Sequence, residues 1–195
     1  MISDLDDTLA ALLKRELPKR LAAQVQFSFA APDDQFAKSQ KLPAIDLFLY
    51  DVRENLELRS NESYVDRRTD GTGVRSQAPV RVDASYLITA WPSESAPEDE
   101  HRLLGEVMKA LLRNRTIPEE VLRGSLVGQE LPLPVSSLQP GRLQSVGEFW
   151  QALGGKPKAA LNYTVTLSVD VAAPQEVRLV TDKTIKIRMQ KGAVS

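Results

Sequence analysis

The sequence predicts an α+β fold in which helices pack on a mixed, mainly antiparallel sheet. Several segments alternate apolar and polar residues with the period of a strand, whereas others repeat apolar residues at the spacing of a helix. The predicted order of strand, strand, strand, helix and strand lacks the regular alternation of a parallel sheet. Because 42% of the 195 residues are hydrophobic, one core can be buried, and we expect a single domain with a C-terminal strand arm.

The first predicted element is an amphipathic helix over residues 3–17. Ser3 is the expected N-cap, and the acidic residues that follow it suit the positive end of the helix dipole. Leu17-Pro18 ends the helix, because the residue before a proline disfavours helical geometry. The apolar face consists of Leu5, Leu9, Leu12 and Leu13.

Two strands are predicted next. Residues 25–29 alternate as a half-buried strand, and Ile45–Val52 forms the second strand. The four consecutive apolar residues Leu47–Tyr50 need cover on both faces, which predicts a central position in the sheet. This strand leads into an unusually charged exit, Asp51–Asn55.

A polar, glycine-containing segment separates the second and third strands. We expect residues 56–78 to form a long, flexible loop. The third strand is predicted over Val80–Trp91, with Val82, Ala84, Tyr86, Ile88 and Ala90 on one face.

The second half predicts a long helix followed by shorter elements. Apolar residues recur at helical spacing over residues 98–115, and residues 117–122 predict a short helix with proline in its first turn. An extended proline-rich stretch, a short helix and an alternating strand are predicted at residues 131–140, 145–153 and 160–170.

The C-terminal part has strand character without a clear place in the sheet. Val177–Val180 and Thr184–Met189 are rich in β-branched residues. We therefore divide the chain into a domain over residues 1–172 and a strand-like arm over residues 173–195.

Composition excludes several kinds of chemistry. The sequence has no cysteine and one histidine, His101, which excludes disulfides, thiolate catalysis and histidine-rich metal sites. A net charge of −1 argues against binding nucleic acid. The N-terminus has no apolar signal core, and no segment reaches the roughly 20 apolar residues of a membrane span. We expect a cytoplasmic protein without cofactor or metal.

Short motifs offer weak alternatives. Asp4, Asp6 and Thr8 match the D-x-D-x-T pattern of haloacid-dehalogenase-type phosphatases, but that chemistry needs a preceding buried strand and only three residues precede Asp4. Gly71-Thr72-Gly73 and Gly154-Gly155 are better explained as a flexible loop and a helix stop than as phosphate loops. The residues alone indicate a domain without a catalytic site.

Taken together, several segments resemble one family in order and spacing. The resemblance is carried by Pro43–Asn55, Pro79–Trp91, Glu100–Gly105, Glu148–Gly155 and Asn162–Leu167. The chain resembles, over about residues 3–170, the N-terminal domain of the cap proteins of extracellular contractile injection systems, such as the Photorhabdus virulence cassette and the antifeeding prophage.

The resemblance implies a tail-terminator-like fold and a structural, non-enzymatic role. It implies a homohexameric ring on the distal end of the inner tube and sheath, which ends their polymerisation and stabilises the extended sheath. The implied partners are other copies of the chain and the sheath and tube proteins, with no nucleic acid and no membrane insertion. The particle is then either released or held at a membrane.

Candidate interface residues come from the charged exit, the loop and the arm. Added strands dock through backbone hydrogen bonds, which makes the arm a candidate contact with the sheath. The candidates are Arg53, Glu54, Arg67, Arg68, Val177, Leu179, Ile185 and Ile187. Three alternatives stay open: a baseplate or neck adaptor, a membrane-attachment adaptor, and a hydrolase that uses Asp4 and Asp6.

Overall fold

Two sheets organise the chain in the computed structural model, which describes residues 1–94, 96–129, 131–139 and 146–179. The helices are α1 (Ile2–Glu16), α2 (Lys19–Ala22), α3 (Phe36–Ser39), α4 (Pro97–Leu112) and α5 (Val146–Ala152). The strands are β1 (Gln26–Ser28), β2 (Ala44–Glu54), β3 (Ser63–Arg67), β4 (Thr72–Gln77), β5 (Val80–Trp91), β6 (Val135–Ser137), β7 (Ala160–Val169) and β8 (Gln175–Arg178).

The larger sheet has five strands in the order β1-β2-β5-β7-β6. β1 is parallel to β2, while the pairs β2/β5 and β6/β7 are antiparallel. β5 and β7 also run antiparallel, because Arg81 bonds to Ser168 and Asp83 to Thr166, so one strand counts up as the other counts down. The mixed, mainly antiparallel α+β fold is confirmed, and β2 is an interior strand as predicted.

The smaller sheet has three antiparallel strands in the order β3-β4-β8. The two sheets belong to different compact units. One unit contains Met1–Arg59 and Arg81–Val169, and the other contains Ser60–Val80 and the described residues that follow Val169.

One face of the five-stranded sheet forms the core together with α1 and α4. Ala84, Tyr86, Ile88 and Ala90 of β5 belong to this core, on the face predicted for them. The residues between them are buried too, so β5 is covered on both faces. The same core holds the apolar face predicted for the first helix, namely Leu5, Leu9, Leu12 and Leu13. Period-two strands and an amphipathic helix therefore bury their apolar faces against each other, which fixes the register of each element.

Aromatic residues lie at the opposite face of this sheet. The Phe36 ring stacks on Trp91 with ring centroids 4.4 Å apart, and the Phe149 ring lies 6.1 Å from that of Phe48. Trp150 is 1% exposed. These aromatic contacts anchor Phe36 of α3 and Phe149 of α5 to the sheet.

Two predictions about helices are wrong. α1 begins at Ile2 and has no side-chain cap, so Ser3 is not the N-cap. The short helix predicted over residues 117–122 is only a 3-10 turn, Glu119–Val121. A second 3-10 turn begins soon after it at Gly124, whose φ of 53° is unfavourable for residues with a side chain and interrupts helical geometry.

The segment predicted as a long loop contains the hairpin of β3 and β4. Its turn is stabilised locally, since the Asp70 carboxylate accepts hydrogen bonds from the Thr72 N–H at 2.9 Å and the Thr72 hydroxyl at 2.6 Å. Gly71 adopts a φ of 83°, a conformation that glycine permits without steric cost. Gly71 therefore belongs to the turn of the hairpin, and Thr72 and Gly73 begin β4. The segment is not a flexible loop.

Candidate subunit and partner interface

The charged exit of β2 consists of two ion pairs within the chain. Arg53 donates to the Asp51 carboxylate through Nε at 2.6 Å and Nη2 at 2.8 Å. Arg59 donates in the same bidentate manner to Glu54, at 2.7 and 2.6 Å. These bonds hold the pKa of both guanidinium groups above its ordinary value. The predicted candidates Arg53 and Glu54 are thus neighbours in sequence with separate partners.

Asn55 fixes the chain directly after β2. Its backbone N–H donates to the Arg81 carbonyl at 2.8 Å, and its side-chain amide donates to both oxygens of the Asp83 carboxylate at 3.0 and 3.2 Å. Its side-chain oxygen accepts from the Leu58 N–H at 3.1 Å. Sequence analysis missed this turn, although an asparagine that follows a strand is a known turn signal.

The candidates in the hairpin and at β8 lie in the three-stranded sheet. Arg67 is exposed at the end of β3, and Arg68 pairs with Glu176 of β8 at 2.8 Å. Val177 lies opposite Gly73 of β4 in the register. An exposed pair of this kind contributes at most about 1 kcal/mol, so the sheet depends mainly on its backbone hydrogen bonds.

Side chains from the segments on either side of β4 pack closely against Gly73. A Cβ at this position would lie 2.9 Å from a methyl group of Val65 and 3.2 Å from one of Leu179. The structure thus brings Arg68, Val177 and Leu179 into one small sheet. The remaining two candidates, Ile185 and Ile187, lie outside the described residues.

The phosphatase-like motif lies on α1 rather than after a strand. The Asp4 carboxylate accepts from the N–H and hydroxyl of Ser125 at 3.1 and 2.6 Å, and these bonds lower its pKa to about 2. Asp6 accepts from the Tyr86 hydroxyl at 2.8 Å, and Thr8 accepts from the Arg123 N–H at 3.0 Å. All three polar residues of the motif therefore hold structural contacts.

A pocket of about 500 Å³ lies beside Trp91. Lys158 and Glu100 form an ion pair in its wall, and the Lys158 ammonium lies 4.5 Å from the centre of the Trp91 ring. The amine is therefore held by a carboxylate and an aromatic face. Such an arrangement fixes this part of the pocket wall.

The structure gives no added support to the other functional sites that the sequence analysis considered. His101 is exposed on α4. Within the described ranges, no group of three acidic, histidine or cysteine side chains is arranged to hold a metal ion. Among the helices that the structure describes, none is long and apolar enough to cross a membrane.

Two solved structures share this architecture. The sheath/tube terminator of an extracellular contractile injection system of the PVC type, in its extended state, is 26% identical and has a TM-score of 0.70. The tube-terminating cap of the anti-feeding prophage is 27% identical and has a TM-score of 0.69. No curated protein sequence matches the chain.

The likeness extends over nearly all of this chain but not over all of the relatives. The first structure covers 100% of this chain and is itself covered over 65% of its length, while the corresponding values for the second are 96% and 62%. The chain thus spans somewhat less than two thirds of each. Residues 4–182 match the Pvc16 N-terminal domain, so the chain belongs to the Pvc16 N-terminal domain family.

Proposed function

We propose that the chain is a structural cap, or tail terminator, of a phage-tail-like contractile injection system. The observation that carries the proposal is the likeness over the whole chain to a sheath/tube terminator and over 96% of it to a tube-terminating cap. In this role the protein ends the polymerisation of tube and sheath and stabilises the extended sheath. The role is non-enzymatic, and the particle is assembled in the cytoplasm.

The assembly that fits this role is a homohexameric ring that contacts tube and sheath. A ring of identical subunits uses two different surfaces that meet head to tail and close by rotation. A net charge of −1 per chain lets six copies lie side by side with little repulsion. Arg53, Glu54, Arg67 and Arg68 are the proposed polar contacts.

The proposed arm, residues 173–195, contacts the sheath. Its described part supplies β8, which adds a third strand to the β3–β4 hairpin through antiparallel pairing with β4. This pairing supports the idea that the C-terminal region docks by strand addition. Val177 and Leu179 serve the intramolecular sheet, and Ile185 and Ile187 are the proposed sheath contacts.

The test is the length of particles assembled with and without the protein. The complete set of particle proteins is expressed with this protein present, absent, or restored from a separate plasmid. We expect tubes and sheaths of uncontrolled length in its absence and a single length when it is restored. Gold labelling should place it at the end opposite the baseplate. Unchanged lengths, or label at the baseplate, would contradict the proposal.

A further inference from the structure

β3 is an outer strand of the three-stranded sheet in the described part of the chain. All of its residues are exposed, including Tyr64 at 58% and Val65 at 42%. Its register with β4 has no shift and its sequence has no proline, so it lacks the bulge or proline that commonly protects an edge strand. Such an edge can pair with a strand of another chain.

The hydrogen bonds between β3 and β4 show which backbone groups face outward. The Arg68 N–H donates to the Thr72 carbonyl at 2.8 Å, and the Ala78 N–H donates to the Glu62 carbonyl at 3.1 Å. In an antiparallel pair, residues that bond to the neighbouring strand alternate with residues whose N–H and C=O point away from it. The even-numbered residues of β3 therefore bond to β4. The groups that point to the outer edge are the N–H and C=O of Ser63, Val65 and Arg67.

The outer edge of β3 is complementary to itself. When two copies of β3 run antiparallel about a two-fold axis at Val65, this residue lies opposite Val65 of the second copy, and Ser63 lies opposite Arg67. Each outward-facing residue then meets another outward-facing residue, and each such pair exchanges both backbone hydrogen bonds. The backbone groups of the edge are therefore all satisfied in one register.

Charged residues at the two ends of the edge favour a second copy as the partner. The register centred on Val65 places Glu62 opposite Arg68 of the second copy and, by symmetry, Arg68 opposite Glu62. Both contacts are non-hydrogen-bonded pairs, in which side chains lie closest, and opposite charges there stabilise a strand pair. Arg68 bonds to Glu176 of β8 through Nη1, and its guanidinium carries further N–H donors for a second carboxylate. The edge is thus complementary in charge to another copy of itself.

Neighbouring registers bring like charges together. A pair centred on Tyr64 places Glu62 opposite Asp66, and a pair centred on Asp66 places the two Asp66 carboxylates opposite each other. A pair centred on Arg67 does the same for the two arginines. Like charges that lie directly opposite each other destabilise a strand pair, so charge favours the register centred on Val65.

We propose that two copies of the free chain associate through β3, in an antiparallel pair centred on Val65 that joins their three-stranded sheets into one. The contact uses the same residues on both copies, so by itself it cannot close a ring and is separate from the head-to-tail contact of the proposed ring. The inference therefore goes beyond the cap function and does not depend on it. Pairing covers the edge before assembly and prevents it from adding unrelated strands.

Single cysteines locate the axis of the pair, because the sequence has no cysteine of its own. In the proposed pair the two Val65 Cα atoms lie about 5.5 Å apart, within disulfide range, whereas those of Ser63 or Arg67 lie roughly 14 Å apart. Under mild oxidation, Val65→Cys should form a linked dimer at least about tenfold faster than the matched controls Ser63→Cys and Arg67→Cys. Gel electrophoresis without reductant measures the rates, and circular dichroism verifies the fold.

Exchanging charges tests the two ends of the pair. In the Val65→Cys background, Glu62→Arg sets arginine opposite Arg68, and Arg68→Glu sets glutamate opposite Glu62. Each change occurs twice in the symmetric pair, so each variant alone should form its dimer at least about fivefold more slowly. In an equal mixture the two variants place opposite charges at both ends, so heterodimers should form at nearly the rate of Val65→Cys. A mass tag on one variant distinguishes the heterodimer.

Amide hydrogen exchange, measured residue by residue by NMR, tests the unmodified chain. The outward N–H groups of Ser63, Val65 and Arg67 should exchange more slowly as the protein concentration rises, because pairing protects them. The N–H groups of Tyr64 and Asp66 face β4 and are the internal control, so their exchange should change less with concentration.

The outcomes decide the proposal without reference to the particle. Equal rates for the cysteine variants, or a mixture in which heterodimers have no advantage, would overturn it. Outward N–H groups that stay unprotected, or whose protection does not depend on concentration, would overturn it as well, since the edge would then be open or covered within one chain. Protection only after sheath protein is added would assign the edge to a different partner. The length test of the cap function is unaffected by any of these results.

Discussion

Asp46 is an acidic residue buried inside the protein. It lies in the interior strand β2 and is fully buried, and the polar side chain that acts on its carboxylate is that of Ser28. Burial raises its pKa to about 8. At neutral pH the folded protein therefore holds this side chain as the neutral acid, because the cost of burying a carboxylate outweighs the opposing effect of the Ser28 side chain.

Asp46→Asn should change how the free energy of unfolding depends on pH. The unfolded chain releases the Asp46 proton near pH 3.9, whereas the folded chain keeps it up to about pH 8. Stability of the wild type is therefore lost as pH rises between these values, by at most about 1.4 kcal/mol per pH unit. The amide of the variant does not titrate in this range. The free energy of unfolding of the variant should therefore rise relative to that of the wild type as pH increases. Urea unfolding at several pH values measures the difference.

The control for this experiment is Asp34→Asn, because Asp34 is exposed. It makes the same chemical substitution at an exposed position, so the free energy of unfolding should change by no more than about 0.5 kcal/mol. A constant difference between Asp46→Asn and the wild type from about pH 4 to about pH 8 would show that Asp46 is not neutral in the folded protein.

At the scale of elements, the hairpin β3–β4 separates what sequence can predict from what it cannot. The long elements were predicted to within a few residues because each buries an apolar face with a clear period. β3 is exposed at every residue, so it has no such pattern, and its strand geometry depends on pairing with β4. When both strands of a hairpin lack a buried face, only the turn residues indicate the hairpin in the sequence. Here these residues are Asp70 and Gly71.

Gly73→Ala should destabilise the three-stranded sheet without unfolding the larger one. The new methyl group would lie within 3.2 Å of Val65, of the Asp66 carbonyl and of Leu179, so these neighbours must move apart. Overpacking of this kind costs about 1–3 kcal/mol. Amide hydrogen exchange should become faster in β3, β4 and β8 and stay unchanged in β2 and β5, because the two sheets belong to separate compact units.

A matched control is Gly105→Ala in α4. No atom lies within 4 Å of a Cβ at Gly105, so the substitution should be neutral or should stabilise the helix by up to about 1 kcal/mol. Equal exchange rates in the wild type and in Gly73→Ala would mean that the sheet accommodates the methyl group without strain.

At the scale of the whole molecule, sequence alone and resemblance contributed different things. Pattern and composition predicted the α+β architecture, and the resemblance supplied the family. Neither predicted the turn at Asn55, because its fixing contacts come from Arg81 and Asp83 on β5, distant in sequence. Contacts between distant residues depend on the assembled sheet. The partners of the candidates Arg53 and Glu54 are close in sequence, namely Asp51 and Arg59, but a run of charges does not show which of them pair.

The sheath contact of the arm is the last prediction and concerns the assembled particle. Removing residues 180–195 leaves β8 and its pairing with β4 in place, so the truncated protein should fold and form the same ring. We expect its binding to purified sheath protein to fall at least about tenfold. Alternation along the arm predicts that Ile185→Ala/Ile187→Ala reproduces the loss, whereas Thr184→Ala/Lys186→Ala, on the other side of the predicted strand, does not. Cosedimentation with sheath measures both, and undiminished binding by the truncated ring would place the sheath contact elsewhere.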